Sequence, residues 1–531
     1  MTEKVYTVIA NRGTTIDQIQ DDLTRYTLLD NIPNRKVDIA HPRAGSRRQT
    51  YFSLTDEEAA MIRRDSRVEA VEIPAEYRTD ITIELNAKQV GNFRKTSVAS
   101  GDFQNWGLFR HMSETYNFTN VGGTNNANGD TINYSFDGEG VDVVIQDSGL
   151  QIDHPEWNDA AGNTRYRSID WYTASGVSGT QSANHDRDTD GHGTHCGGIA
   201  AGLTFGWAKN ARVYGQKVAG LEGTGDSGNG ISVSDIFDTI RLWHNSKSGA
   251  DAGRPTVVNM SWGYGYNLDP DDITTGNYRG TAWDFATDYS STSQTLQNAV
   301  GVIIPIFGQN NTTRMPVRIA SVDADVQDMI DDGIHVCIAA GNSRFKIDVP
   351  GGPDYNNTIL RSGSSEFYHR GSSPFSNDAM IVGNILDSTF GNLDTRSTSS
   401  CTGPGCNIWA GGSNIMSCTS NTNKFTDAAY SKNSSFRQCN ISGTSMASPQ
   451  VAGVIACLLQ KDPTLTPAQT KQIIEDDAVT GIIYDTASIV DYGEPRSLHG
   501  SPNRIMFNRY NKVPFAMSNL LRPRNGLTLR T

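Results

Sequence analysis

One stretch constrains this chain more than any other: Ile441-Ser442-Gly443-Thr444-Ser445-Met446-Ala447-Ser448-Pro449-Gln450-Val451-Ala452-Gly453. Small residues crowd Ser445, and an apolar run from Val451 to Leu459 follows, broken only by small residues. Pro449 reads as a residue of a helix's first turn, where its missing N–H costs nothing. Ser445 is therefore expected at the N-terminus of a buried helix, with free N–H groups and the positive dipole end facing its hydroxyl. That setting suits a serine that must become an oxyanion-bearing nucleophile. It equally describes an N-cap serine beside a glycine turn, so the decision falls to residues elsewhere in the chain.

Gly443-Thr444-Ser445-Met446-Ala447-Ser448-Pro449 resembles the nucleophile motif of the subtilisin-like serine proteases, the subtilases. That family needs an Asp and a His earlier in the chain, in the order Asp, His, Ser. Val141-Asp142-Val143-Val144-Ile145-Gln146-Asp147-Ser148-Gly149 is similar to its strand ending in a catalytic Asp, and Gly191-His192-Gly193-Thr194-His195-Cys196 to its histidine motif. The resemblance implies a triad of Asp147, His192 and Ser445. It also implies an oxyanion-hole donor in Asn342, within Ala339-Ala340-Gly341-Asn342-Ser343. Ser261-Trp262-Gly263 resembles the edge that takes substrate backbone as an added strand, and Gly225 to Gly230, with Gly225 and Gly228, resembles the opposite edge. Ala340 and Gly341 complete the uncharged walls of a pocket expected to take large apolar side chains. Trp262 stands where the family usually has a smaller aliphatic residue. Cys196 and the short link Phe205 to Ala211 are closer to the proteinase K branch. His195, one helical turn after His192, reads as structural. Asp186-Arg187-Asp188-Thr189-Asp190 reads as a solvated loop, with a structural calcium as the alternative. No metal and no cofactor is required for the chemistry.

The rest of the chain sets bounds. Its 531 residues suffice for two or three domains, and 45 Lys+Arg against 58 Asp+Glu, net −13, argue against a nucleic-acid binder. No apolar run approaches ~18 residues, so no membrane span is expected. The first residues carry no apolar segment of signal-peptide type, so an intracellular or particle-associated location is expected, extracellular only by another route. Seven cysteines are an odd number. Reduced thiols are the expectation, although Cys401 with Cys406, and Cys418 with Cys439, are candidate pairs.

Residues 1–80 alternate strand, helix, strand, strand, helix, strand, a ferredoxin-like α+β pattern with capping-box spacing at Thr15 and again at Thr55. Phe52 to Ile73 is similar to the end of a subtilase propeptide, which implies an intramolecular inhibitor; an unrelated ferredoxin-like module is the alternative. Residues 81–136 read as linker and the start of the mature region. From 137 to 497 short apolar strands alternate with helices, which implies a doubly wound parallel sheet of subtilisin type. An insertion lies around 264–326, a second extended loop region runs from Arg344 to Asp378, and a basic tail runs from 498 to 531. The reading is a serine endopeptidase acting through an acyl-enzyme on protein or peptide substrates and processing its own N-terminal domain. A structural, particle-associated protein that retains a subtilase fold is the rival, with the insertion or the tail docking on a larger particle.

Overall fold

The computed structural model describes residues 2–85, 105–112, 114, 134–268, 273–288, 300–302, 313–361, 363–390, 392–485 and 497–509. The N-terminal module has its own core, built by Val8, Ile19, Leu23, Phe52, Leu54, Ile62 and their neighbours. Strands β1 (Lys4–Ala10), β2 (Ile39–His41), β3 (Gln49–Leu54) and β4 (Val68–Glu72) form an antiparallel sheet in the order β2-β3-β1-β4, covered by helices Asp17–Thr24 and Asp56–Ile62. The second helix starts on a complete capping box between Thr55 and Glu58. The first does not: its N-cap is Ile16 and no side chain caps it, so the spacing at Thr15 is unused.

The second core is far larger and lies about a sheet whose strands run parallel from β7 (Arg212–Lys217) through β6 (Asp142–Asp147) and β8 (Thr256–Met260) to His335–Ala339, Met380–Phe390, Ile408–Gly411 and Arg504–Ile505. Every residue of β6 and β8 is buried, as expected of strands covered on both faces. Val479–Thr480 adds an antiparallel edge. The sheet therefore takes in residues beyond 498, and Leu498, Ile505, Met506 and Phe507 are buried. The boundary expected at 497 falls inside the fold; within the stretch read as tail, residues up to 509 are described and the rest are not.

The two long segments read as separate loops meet. Ile273–Tyr278 and Thr281–Asp284 from the insertion join Thr358–Arg361 and Ser364–Phe367 in one antiparallel sheet. Strand β9 (Trp262–Leu268) carries Thr313–Pro316 on one side and β5 (Thr82–Leu85) on the other, antiparallel to both. The stretches expected as linker, Lys88 to Asp102 and Thr119 to Asp130, lie outside the described residues. All seven cysteines are buried free thiols, and the strand register sets Cys439 opposite Ser417 rather than Cys418. No helix among the described residues is long and apolar enough to cross a membrane.

The module docks on helices Val233–Ser246 and Ala320–Asp331. Glu72 accepts from the Ala320 and Ser321 N–H groups at 3.1 and 2.7 Å, satisfying free donors at a helix start. Arg43, buried, pairs with Asp238 at 3.0 Å and Asp325 at 3.2 Å, while Arg48 holds Asp328 at 2.9 Å.

Candidate active site

Asp147 ends strand β6, which lies between β7 and β8, so its side chain emerges at the carboxyl edge of the sheet. His192 opens helix His192–Ala201, and its Nδ1 lies 2.7 Å from Asp147 Oδ1. Such closeness needs Gly193: a Cβ there would stand 2.1 Å from the Gly149 carbonyl oxygen. Ser445 is the second residue of helix Thr444–Lys461, which is buried from Thr444 through Leu459. Asp147, His192 and Ser445 thus stand at a strand end and two helix starts, and Cys196 Sγ bridges the helices, 3.8 Å from His192 Nδ1 and 3.4 Å from the Ser445 carbonyl oxygen.

Pro449 is not in the first turn as the sequence implied. The helix begins at Thr444, so Pro449 lies inside it and withholds the N–H that would bond the Ser445 carbonyl one turn back. That carbonyl takes two side-chain donors instead, Ser261 Oγ at 3.1 Å and Cys196 Sγ at 3.4 Å. Burial pushes the Cys196 thiol well up, which keeps it a neutral donor. The Ser445 hydroxyl donates to the Ser261 carbonyl at 3.0 Å, and no hydrogen bond to His192 forms among the described residues.

Asn342 follows Gly341, which takes the left-handed φ of +103° that turns the chain out of the strand. Its Oδ1 accepts from Thr444 N at 3.0 Å and Thr444 Oγ1 at 3.1 Å, which leaves the amide Nδ2 as its donor. Thr444 Oγ1 also accepts from Gly341 N at 3.1 Å, so one hydroxyl ties the turn after strand His335–Ala339 to the serine helix. The Ala340 N–H is spent on Val382 at 3.0 Å and stays within the sheet.

Ser261 passes directly into β9, where Trp262 and Gly263 pair with Leu85 and Glu84 of β5. The Trp262 indole is wholly buried, edge-on to Tyr264 with ring centroids 5.9 Å apart and tilted against Phe237 at 6.3 Å. Gly225 and Gly228 do not meet β5; both are exposed with open space around them. The glycine that meets it is Gly220, where a Cβ would come within 2.7 Å of Ile83 Cγ2. With β5 in place, Asp147, His192 and Ser445 are wholly buried.

The acidic run holds a correction. Asp188 is buried, not solvated; it accepts from Ser148 Oγ at 3.0 Å, Gly191 N at 2.8 Å and Thr194 Oγ1 at 2.6 Å, tying the strand end after Asp147 to the histidine helix. Asp186 accepts from Tyr166 and Ser168, and Asp190 pairs with Lys424 at 2.7 Å. The carboxylate oxygens of Asp186 and Asp188 thus have protein donors, while Asp190 Oδ1 is buried without one. The cluster of Asp147, His192 and Cys196 has metal-ligand geometry, but two of its members are the paired Asp and His themselves. His195 is buried, its Nε2 3.0 Å from the Cys439 carbonyl and 3.1 Å from that of Ile415, and burial pulls its pKa down to about 3, so it is neutral and structural.

An Asp–His pair and a serine at a buried helix start, gathered at the carboxyl edge of a doubly wound parallel sheet, define a class of α/β protein. The model of the subtilase family, Peptidase S8, matches residues 138–504, and the chain belongs to that family. It is 24% identical to alkaline serine exoprotease A of Vibrio alginolyticus over 83% of this chain and 57% of that protein. It is 25% identical to the cuticle-degrading protease of Metarhizium anisopliae over 92% of each. It is 28% identical to the subtilisin-like serine protease pepC of Aspergillus niger over 66% of this chain, and so spans 49% of that relative. Among solved structures it shares its fold with fervidolysin from Fervidobacterium pennivorans, a keratinolytic enzyme related to subtilisin, with a TM-score of 0.51 at 15% identity over 96% of this chain and 61% of that one.

Proposed function

We propose that the chain is a serine endopeptidase that cuts peptide bonds through an acyl-enzyme on Ser445 and processes itself behind its N-terminal module. The observation that carries the reading is β5. A strand of the chain's own N-terminal region pairs with the edge that leads into Ser261, the residue exchanging hydrogen bonds with Ser445. A peptide added to that edge brings its backbone to the serine. The hydroxyl turns from the Ser261 carbonyl to His192, which takes its proton, and Asp147 holds the imidazole by its Nδ1 and stabilises the charged form. The Asn342 amide and the Ser445 N–H donate to the oxyanion. The chemistry uses no cofactor. The N-terminal module, docked through Glu72, Arg43 and Arg48, is the intramolecular inhibitor in this reading.

The experiment is labelling of the full chain with a fluorophosphonate serine probe, alongside peptidase assay. Wild type takes the label and cuts peptides. Ser445→Ala loses both, and His192→Ala loses turnover by about 10⁶, the scale for removing one member of such a unit. Variants that keep more than a few per cent of activity would refute the assignment. A stably folded wild type that neither labels nor cuts would favour the structural protein.

A further inference from the structure

The strand Thr313–Pro316 comes from the insertion around 264–326 and pairs with the edge of β9 that faces away from β5. Arg314 nevertheless reaches across β9. Its guanidinium forms an ion pair with Glu84 and donates to Thr82 Oγ1 at 3.1 Å, both on β5. Asn267 Oδ1, on β9, braces the Nε at 3.1 Å. The path runs over Gly265, where a Cβ would stand 3.6 Å from Arg314 Cβ and 4.0 Å from its Cδ. The glycine leaves the face of β9 open for the arginine stem. Arg314 and Glu84 are 26% and 34% exposed, so their attraction is only partly screened.

We propose that Arg314 is a specificity-determining residue that selects an acidic side chain at the third position on the amino side of the cut bond, the position Glu84 takes in this chain. The proposal rests on the peptidase reading above. Leu85 pairs with Trp262, and the next cleft residue, Ser261, is the one hydrogen-bonded to Ser445. Counted along the sequence, Asn86 is then first before the cut, Leu85 second and Glu84 third. Alternate residues of an added strand face alternate sides, so a side chain that crosses β9 can read the third and fifth positions and not the second or fourth. Arg314 touches Glu84 and Thr82, which are the third and fifth. The insertion thus supplies a charge to the cleft, with no need of a separate partner.

The test uses the full chain and peptides Thr-Ile-X-Leu-Asn extended past the cut, with X as Glu, Gln or Lys. Ratios of kcat/KM on one preparation cancel the fraction of clefts that are open. Wild type should prefer Glu over Lys by about tenfold at low salt, with Gln between, and the ratio should shrink in high salt. Arg314→Glu should invert the order, and Arg314→Gln should bring the ratio near one. A wild type that takes the serine probe but shows a ratio near one, or a preference unchanged in Arg314→Glu and Arg314→Gln, overturns the proposal alone. A wild type that neither takes the probe nor cuts any peptide overturns the peptidase reading and the proposal with it.

Discussion

Pro449 interrupts the hydrogen-bond ladder of its helix one turn after Ser445, and the interruption is filled by Ser261 and Cys196. At this scale the sequence was legible in its identities and illegible in its bonding. The motifs around Asp147, His192, Asn342 and Ser445 could be read as short strings because each sits at a strand end or a helix start. The residues that aim them could not: Thr444 orienting Asn342, Asp188 tying Ser148 to the histidine helix and Ser261 receiving the Ser445 hydroxyl are brought close only by the fold. Asp188 was read as solvated because a dense acidic run ordinarily is, and burial with four residues donating to it is what reversed that. Asn342→Leu keeps the volume and removes the amide donor. Turnover should fall by about 10²–10³ with KM little changed, since the bond forms chiefly in the transition state. Steady-state kinetics showing only a raised KM would make Asn342 a binding or structural residue.

The element that explains most is β5, four residues that close the cleft. The sequence places its residues in a linker, because pairing with β9 bridges 177 positions between Leu85 and Trp262, a contact no local pattern encodes. The docking of the module is similarly non-local. One guanidinium, Arg43, faces two buried carboxylates, Asp238 and Asp325, with Gln49 donating to Asp325 and Tyr51 close by. Burial, opposed by Arg43 and reinforced by Asp238, pushes Asp325 up to about 7, and burial also raises Asp328 beside Arg48 and Glu72 at the helix start. A carboxyl raised in the docked state keeps its proton there while the undocked form ionises near pH ~4. Its contribution to docking is therefore full below about pH 4 and is lost as pH rises through about 7. In uncut Ser445→Ala, hydrogen exchange over residues 43–54 should accelerate between those limits beyond the intrinsic rise of amide exchange. Asp325→Asn should remove part of the excess; an excess that is absent, or that grows towards acid, would contradict the sign.

For the whole molecule, the period of the apolar runs was enough to separate a ferredoxin-like module from a parallel sheet, because each element type buries a different set of faces. Boundaries were less legible. Residues beyond 498 looked like a tail since their strand, Arg504–Ile505, is two residues long, and its place beside Ile408–Gly411 is visible only in the sheet. The two loop regions around 264–326 and 344–378 were read apart because the sheet they share is made by pairing across them. What the architecture amounts to, in our account, is a peptidase whose own chain lies in its cleft and ends there once Ser445 has acted. Intact-mass measurement of freshly made full-length protein tests this most directly. Wild type should give two fragments, cut between Asn86 and Ala87, and Ser445→Ala should remain whole at 57.7 kDa. A Ser445→Ala chain cut at the same bond, or a wild type that labels with the serine probe yet stays whole, would contradict it.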